Sequence, residues 1–419
     1  MWVMKVGGGC LRDAKAFLQL PILLRQAYPD APRLLVVSAI GKTTNHLLAI
    51  AQAASRPDTA QVELLFQRLR TFHEEIIEAL LPSSQKLKEK LHERYWRPLW
   101  QRIQTLLQLP EEGGPAVDAI LVYGELISSE IVHAYLEVQG FTTEWIDARQ
   151  LIVTDGSYPE PNVLLGPSQA NVDAQLLPLF RRSPLVVTQG YIASDLRRRS
   201  VTLGREGSDY SAALFASMLK AQGMIAWKDV GHIYSADPHK YAEAQPIPHL
   251  SYQQAAEMTY YGAQVLHPRT LQPLQEKNIP LYIRPYFNPS EVGTVINEKV
   301  AQNLPPIRTH RKGLSLIEVQ SLTLSRIDLE ELLHTLHLEG IEPYFLQTSV
   351  HRVALAVQAD PELLERWQAN APPYWEVKMH HPIVLHTILH PSPDSEVPNG
   401  ESLYLQRSPR GLHWIAYET

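Results

Sequence analysis

The chain has 419 residues, of which 45% are hydrophobic, with a formal net charge of -6 and a single cysteine, Cys10. This length is sufficient for two or three hydrophobic cores, and the acidic balance excludes a basic surface for nucleic acid or anionic membranes. One cysteine excludes an internal disulfide framework, and the N-terminus lacks a secretory signal pattern. We therefore expect a cytoplasmic protein whose partners are small molecules and other protein chains.

Five short apolar runs predict buried strands of an α/β domain with a mainly parallel sheet, because helical patterns separate most of them. They are residues 2–6, 34–38, 120–123, 185–189 and 281–284. Ligands bind beyond the carboxyl ends of such strands. Polar, glycine-bearing turns follow Val6, Ser38 and Tyr123, so the sequence predicts a binding cleft at that edge of the sheet.

Between residues 61 and 109 the apolar residues recur at a spacing of three to four, which predicts a helical lobe inserted in the α/β domain. Pro82 and Pro98 are expected to break or kink this lobe. Its leucine and aromatic residues favour a hydrophobic core over a cofactor site.

The proline pair Pro305-Pro306 predicts a boundary between a first domain of residues 1–303 and a second of residues 310–419. In the second domain, residues 314–319 and 351–357 predict strands and residues 329–338 an amphipathic helix, forming a small βαβ-type unit. The remainder predicts strands and turns without a further helix. Four histidines there are expected to lie at the surface rather than to bind a metal: His380, His381, His386 and His390.

The first glycine-bearing turn is Lys5-Val6-Gly7-Gly8-Gly9. Glycines allow the backbone to approach a phosphate closely, and the lysine supplies a compact positive charge for phosphoryl transfer. An ordinary turn after a strand is the alternative. The dinucleotide-binding motif does not match, because Arg12 occupies the position of one of its glycines. The P-loop motif does not match either, because Val36 occupies the position of its upstream glycine.

The second and third turns carry further polar groups. Thr44 or Asn45 is expected to cap a helix, a role that is compatible with ligand contact. Glu125, at the start of a predicted helix, either complements the helix dipole or binds an ammonium group.

Residues 202–214 join a loop that contains Arg205 and Asp209 to an apolar helix. Such a loop directs backbone N–H groups and a helix N-terminus at an anion, while the arginine can bind a carboxylate through two hydrogen bonds. The alternative is an ordinary helix start with Ser208 as the N-cap.

These motifs together resemble the aspartokinases, which have the amino-acid kinase fold, and the likeness covers residues 1 to about 300. The resemblance rests on the order of the motifs around Lys5, Thr44, Glu125, Arg205 and Asp209, and on four later ones. These are Trp227-Lys228-Asp229-Val230, Ile233-Tyr234-Ser235-Ala236-Asp237-Pro238, residues 261–268 and Phe287-Asn288-Pro289. The implied architecture is a mainly parallel sheet flanked by helices, a helical insertion and a smaller α+β ACT-like C-terminal domain.

The resemblance implies an ATP-dependent enzyme that phosphorylates the side-chain carboxylate of L-aspartate to 4-phospho-L-aspartate, toward lysine, threonine and methionine. Lys5 and Asp209 would be catalytic, Lys5 by bridging the transferring phosphoryl group. The implied substrate-binding residues are Thr44, Glu125, Arg205, Gly207 and Ser208, and the implied nucleotide-binding residues are Lys5, Gly7, Gly8, Lys228, Asp229 and Tyr234. Mg²⁺ would be held mainly by the nucleotide phosphates, so no protein metal site is expected.

The C-terminal region resembles an ACT domain in its first half, and the second ACT unit is expected to be degenerate. Such a region implies a homodimer or a higher homo-oligomer.

The chain departs from the family pattern at several positions, which include Gly9, Cys10, Glu206 in place of a glycine, His239 and Gln264. The Glu206 carboxylate is expected to point to solvent or to a cation, because a misplaced charge near Arg205 is costly. Lys228 or Arg269 is expected to restore the charge that Gln264 removes. Two alternatives remain open: a catalytically silent amino-acid sensor, and a kinase for another carboxylate such as acetylglutamate.

Overall fold

The computed structural model describes residues 1–28, 30–110, 113–158, 160–263, 266–321, 327–392, 395, 397 and 402–418. The chain divides into two compact units. The first unit comprises Met1–Ile233, Pro248–Tyr252 and Leu266–Lys299, and the second comprises Tyr234–Ile247, Gln253–Val265 and Val300–Thr419. Two segments from within the predicted first domain thus belong to the second unit.

The strands up to residue 299 include the four that the sequence predicts at 2–6, 34–38, 185–189 and 281–284. In chain order they are β1 Trp2–Val6, β2 Arg33–Val37, β3 Thr143–Trp145, β4 Val153–Thr154, β5 Leu185–Gln189, β6 Ile192–Asp195, β7 Ser200–Thr202, β8 Gly223–Lys228, β9 Ile233–Tyr234, β10 Pro246–Ile247, β11 His249–Ser251, β12 Leu281–Pro285 and β13 Thr294–Asn297. Strands β1, β2 and β5 are buried along their whole length, as expected of a parallel sheet covered on both faces.

The central sheet has the order β11-β13-β12-β8-β1-β2-β5-β3 and is parallel except for the β12–β13 pair. The predicted α/β fold class is therefore confirmed. Strand β1 lies between β2 and β8, with Lys5 in register with Val36 on one side and Ala226 on the other. The carboxyl ends of these three strands meet at one edge, which brings the loops after Val6, Val37 and Lys228 together.

The helices up to residue 299 include the predicted helical lobe. They are α1 Ala14–Phe17, α2 Gln19–Gln26, α3 Thr43–Ala54, α4 Thr59–Leu80, α5 Gln85–Leu91, α6 Arg97–Gln108, α7 Gly113–Leu121, α8 Tyr123–Val138, α9 Leu165–Asn171, α10 Gly207–Met218, α11 Tyr252–Tyr260 and α12 Pro268–Glu276. Pro82 lies between α4 and α5, and Pro98 lies in the first turn of α6 after the π-helical turn His92–Trp96. Both prolines interrupt the lobe as predicted.

The strand predicted at residues 120–123 is wrong, because these residues belong to helices α7 and α8. A four-residue apolar run does not distinguish a buried strand from a buried helix, and the flanking alanines, leucines and glutamates favour a helix. The stretch Gly113–Val138 is apolar and long enough to cross a membrane by composition, but 83% of its most apolar window is buried within the protein, as in a core helix.

The second unit contains an antiparallel sheet with the order β15-β16-β14-β17-β19-β18. Its strands are β14 Ile307–Ser321, β15 Pro343–Thr348, β16 Arg352–Val357, β17 Trp375–Leu389, β18 Tyr404–Arg407 and β19 Gly411–Tyr417, and its helices are α13 Leu329–Leu338 and α14 Pro361–Ala369. Elements β14 to β17 follow a βαββαβ order, with both helices contributing to one core that includes Leu336, Leu364 and Trp367.

The prediction that no further helix follows residue 357 is therefore wrong. Helix α14 has the usual start signals, since Pro361 is its first residue and the side chain of Asp360 accepts a hydrogen bond from the Glu362 N–H. The prolines that follow this helix favour turns, and for that reason the helix was not predicted. This ACT-like unit extends to residue 389, well beyond the predicted end at Val357.

The two earlier segments of the second unit bond to its later residues. The N–H of Arg308 donates to the carbonyl of Ser235, and Gln254 exchanges hydrogen bonds with the backbone of Ala301. The guanidinium of Arg311 also donates to the carbonyls of Thr259 and Tyr260. Segments that lie far apart in sequence thus form one unit.

Candidate active site

A buried group of charges lies where strands β1 and β8 end. Lys5, 6% exposed, donates from Nζ to Oδ2 of Asp209 at 3.1 Å, and Nζ of Lys228 lies 3.8 Å from the same oxygen. Burial raises the pKa of Asp209, but Lys228 and Lys5 lower it by more, so its pKa lies below the usual value. Two positive charges therefore flank one negative charge, so the group has a net positive charge and can bind an anion.

The second oxygen of Asp209 has a different environment. Oδ1 is buried and has no hydrogen-bond partner among the described residues. A buried ionised oxygen without a partner costs free energy, so its presence in a cleft indicates a site for a cation or a donor from a ligand.

Glu125 provides a second unsatisfied carboxylate. Its side chain is 2% exposed, Oε1 accepts a hydrogen bond from the Ala39 N–H at 3.2 Å, and Oε2 lacks a partner in the described part of the chain. Burial raises the pKa of Glu125 to about 8, although the Ala39 N–H and Lys5 oppose the shift. Such a group gains most from a positively charged donor.

Helix α8 delivers Glu125 to the sheet edge. A Cβ placed on Gly124 would lie 3.1 Å from Cβ of Ala39, so the helix N-terminus packs closely on the loop after β2. The strand predicted at residues 120–123, just before Glu125, is helical. Glu125 nevertheless lies at the predicted edge of the sheet, because helix α8 brings it there.

The loop before α10 provides a free cation. Arg205 is exposed, and its guanidinium makes no hydrogen bond or ion pair with any residue that the structure describes. Helix α10 begins at Gly207, and its N-cap is Glu206 in a left-handed conformation, so the predicted Ser208 cap is wrong. Ser208 instead lies in the first helical turn with its hydroxyl available.

A similar correction applies to α3. The predicted caps Thr44 and Asn45 lie inside the helix, because Lys42 is the N-cap and makes no side-chain capping bond. Thr43 is fully buried and pairs through Oγ1 with Nε2 of His73 at 3.3 Å. Thr44 remains free to face the space beside it.

One cavity of about 580 Å³ joins these residues. The predicted residues that line it are Lys5, Gly8, Thr44, Glu125, Arg205, Gly207, Ser208 and Asp209. The further lining residues that sequence reasoning did not assign to the site include the polar side chains of Asp118, Tyr158, Tyr191 and Thr202, and Glu206 also lines the cavity. Asp118 accepts hydrogen bonds from the N–H and hydroxyl of Thr202, both at 2.9 Å, so it supports the wall of the cavity.

The glycine turn after β1 fits closely against the loop after β2. A Cβ on Gly8 would lie 2.5 Å from the Ala39 carbonyl oxygen, so a side chain is excluded there. Lys5 Nζ lies 3.6 Å from the Cβ position of Gly7, and Asp229 Oδ2 lies 3.3 Å from that of Gly9. Lys5, Gly7, Gly8 and Asp229 therefore cluster at the same strand ends.

The remaining sequence departures have distinct surroundings. Burial raises the pKa of the Cys10 thiol to about 12, and its Sγ donates to the Trp227 carbonyl, so it is an inert core group. Tyr234 and His239 belong to the second unit, so the geometry of the first unit does not include them. Gln264 lies outside the described residues.

Glu206 is half-buried and has a partner that the sequence did not predict. Its Oε2 accepts a hydrogen bond from the His267 N–H at 2.6 Å, so this oxygen is bound by a backbone donor and not by a cation. Arg269 forms an ion pair with Glu160 instead of lying beside Lys5 and Lys228, since its Nη1 is 3.1 Å from Oε2 of Glu160. Of the two residues expected to restore the missing charge, Lys228 is the one beside Asp209.

The histidines near the C-terminus have protein partners. His380 pairs with Oε2 of Glu318 at 3.1 Å, and His386 stacks on Trp414, both from strand β17 as predicted. Across the described residues no group of three or more histidine, cysteine or acidic side chains is arranged to hold a metal ion.

Comparisons with known proteins agree with this geometry. The model of the amino acid kinase family matches residues 1–285. The chain is 31% identical to a bifunctional aspartokinase/homoserine dehydrogenase from Haemophilus influenzae over 72% of this chain and 37% of that protein. It is 32% identical to chloroplastic aspartokinase 3 from Arabidopsis thaliana over 70% of this chain and 52% of the relative. It thus spans about a third to a half of these relatives.

Among solved structures, E. coli aspartokinase III in complex with aspartate and ADP superposes with a TM-score of 0.86 at 25% identity. That alignment covers 100% of this chain and 96% of the other. The likeness therefore includes both compact units.

Proposed function

Because the chain belongs to the amino acid kinase family, we propose that it uses ATP to phosphorylate the side-chain carboxylate of L-aspartate, giving 4-phospho-L-aspartate. One observation carries this proposal. The same cavity contains a carboxylate oxygen of Glu125 and a guanidinium of Arg205, both without a partner among the described residues, together with the lysine-flanked Asp209. This set complements the ammonium and α-carboxylate of an amino acid and the phosphates of a nucleotide.

The proposed reaction requires little proton chemistry. The side-chain carboxylate of aspartate has an ordinary pKa near 3.9, so it is ionised at neutral pH and attacks the γ-phosphorus without a strong general base. The main barrier is the approach of two anions. Lys5 would bridge the transferring phosphoryl group, and removing such a charged donor lowers rates by roughly 100- to 1,000-fold in other enzymes.

Asp209 would hold Lys5 in position through its Oδ2, with Lys228 on the other side of that oxygen. Gly7 and Gly8 would allow the phosphates to approach the backbone, and Asp229 would contact the nucleotide. Mg²⁺ bound with ATP would neutralise phosphate charge and be held mainly by phosphate oxygens. The unpartnered Oδ1 of Asp209 fits a role beside that ion or its water ligands.

The amino acid would be held from three sides. Arg205 would form two hydrogen bonds with the α-carboxylate, and Glu125 would accept the ammonium. Thr44 and Ser208 would add hydroxyl contacts, with the N–H groups of Gly207 and Ser208 at the start of α10 favouring negative charge. The requirement for a free ammonium separates this function from phosphorylation of an acetylated amino acid.

We also propose a wider role for the chain, as a cytoplasmic enzyme at the entry to lysine, threonine and methionine synthesis. The βαββαβ unit of residues 307–389 would serve as an ACT-like domain that pairs chains into a homodimer or a higher homo-oligomer. The hairpin β18–β19 follows this unit in the described residues.

The test is ADP release by the purified chain with ATP, Mg²⁺ and L-aspartate, with hydroxylamine present to trap the acyl phosphate as a hydroxamate. We expect both products to depend on L-aspartate and to be absent with N-acetyl-L-aspartate, which lacks the ammonium. Hydroxamate formed from N-acetylglutamate would instead assign another substrate. Aspartate binding without ADP release would assign a silent sensor.

A further inference from the structure

Glu206 has a backbone conformation that its side chain does not favour. Its φ of 54° and ψ of 24° lie in the left-handed region, where a residue with a Cβ is strained and glycine is not. Glycine stands at this position in the family pattern described above. A strained glutamate persists only where surrounding contacts hold it.

One such contact is the hydrogen bond from the His267 N–H to Oε2 of Glu206, at 2.6 Å. His267 is the N-cap of α12, and its Nδ1 accepts a hydrogen bond from the Arg269 N–H. The loop that presents Arg205 is therefore tied to the start of a helix that lies sixty residues further along the chain.

A second connection runs from the same helix to the other end of the loop. The guanidinium of Arg269 binds Glu160 and the Pro161 carbonyl, and it lies 4.8 Å from the ring centre of Tyr210. Glu160 in turn lies against Gly204, whose Cβ position would be 3.0 Å from its Cγ. The first turn of α12 thus fixes the loop on both sides of Arg205.

Arg205 itself has no partner in the described residues, so only its backbone is fixed before a ligand arrives. We propose that Glu206 is a positioning residue that, through His267, sets the guanidinium of Arg205 for the α-carboxylate of the amino acid substrate. This inference rests on the proposed function. A loop held in its bound geometry loses less entropy on binding, so the benefit falls on the affinity for the amino acid.

The experiment replaces Glu206 in two ways. Glu206→Gly relieves the left-handed strain and removes the acceptor, whereas Glu206→Gln keeps an oxygen that accepts the His267 N–H. We expect Glu206→Gly to raise the KM for L-aspartate about tenfold, the equivalent of one hydrogen bond to a charged group, without changing kcat or the KM for ATP. Glu206→Gln should restore most of the lost affinity.

Lys220→Gly is the matched control. Lys220 has a φ of 48° and follows the opposite end of α10, so its replacement gives the same backbone relief without touching the loop. We expect both glycine variants to keep or raise the thermal midpoint, and only Glu206→Gly to weaken aspartate binding. Loss of affinity without loss of stability is a result that a merely structural role would not produce.

The outcomes separate this inference from the proposed function. An unchanged KM for aspartate in an active Glu206→Gly variant would overturn the positioning role. A Glu206→Gln variant as weak as Glu206→Gly would also overturn it, because the effect would then come from charge. Failure of the unaltered protein to form the hydroxamate would overturn the proposed function instead.

Discussion

Helix α8 carries two buried glutamates little more than one turn apart, and their surroundings differ. Glu130, 1% exposed, is contacted by three side chains, those of Lys90, Tyr95 and Arg94. Glu125, 2% exposed, receives the Ala39 N–H on one oxygen and nothing from the described chain on the other. A carboxylate that the protein satisfies supports the fold, whereas one left half satisfied beside a cavity is available to a ligand.

The sharpest test of this contrast is Glu125→Gln. The neutral amide cannot pair with an ammonium, and breaking a buried charge pair costs about 3 to 4 kcal/mol, so we expect the KM for L-aspartate to rise roughly 100- to 1,000-fold. The free energy of unfolding should stay the same or increase, because a buried acid is replaced by a neutral group. Steady-state kinetics and urea unfolding measure the two quantities, and a loss of stability with normal kinetics would reverse the assignment.

Glu130→Gln is the matched variant on the same helix. It weakens the ion pairs with Lys90 and Arg94, which are partly exposed, so we expect a loss of about 2 kcal/mol in the free energy of unfolding. Kinetic constants for aspartate and ATP should not change. Impaired aspartate binding in this variant would show that the two carboxylates are not functionally distinct.

Asp209 is the intermediate case, because one of its oxygens is paired and the other has no partner in the described residues, and a substitution of Lys228 tests the paired oxygen. We expect Lys228→Ala to raise the KM for ATP about tenfold, because a partly exposed positive charge beside the proposed phosphate site is lost. Arg269→Ala should leave the KM for ATP unchanged, since Arg269 binds Glu160. An effect confined to Arg269→Ala would move the compensating charge to that residue.

The smallest expected effect is the release of a proton when the amino acid binds. Burial raises the pKa of Glu125 to about 8, so the free protein holds this carboxyl protonated at pH 7, and binding of an ammonium should release close to one proton. Calorimetry in buffers with different ionisation enthalpies measures this release, and kcat/KM for aspartate should rise with pH toward 8. The Glu125→Gln variant should release none.

The same shift predicts the direction of a stability change. The folded pKa of about 8 lies above the ordinary value of 4.5, so the folded protein keeps a proton that the unfolded chain loses between these pH values. The stabilisation is complete below pH 4.5 and is lost as the pH rises through 8. Glu125→Gln should flatten this part of the profile, and an unaltered slope would place the titration elsewhere.

Local patterns predicted β1, β2 and β5, but not β8, whose end also positions the site. The apolar runs at β1, β2 and β5 were consistent with buried strands or short buried helices, and the helical patterns between most of the runs favoured strands. At residues 120–123 the same kind of run was helical, because the preference of its neighbours decided between two structures with equal burial. The start signals at Asp360 and Pro361 were present in the sequence and were outweighed by later prolines.

Local sequence patterns could not predict the tertiary contacts. The bond between Glu206 and His267 joins residues with no local relation, so nothing in either neighbourhood indicates it. The substitution of a family glycine by Glu206 was visible, but its partner was not. Lys228 was the more favourable case, because the end of a strand beside β1 restricts where its side chain lies.

The chain enters the second unit at Tyr234–Ile247 and Gln253–Val265, returning each time, before it stays there from Val300 onward. A gene shortened after codon 303 would therefore still encode both early segments but not Arg308 and Arg311, which bond to them. Recombination at a single point cannot add or remove the second unit cleanly. Its exchange between lineages would require coordinated changes inside the sequence of the first unit, which ties the inheritance of the two parts together.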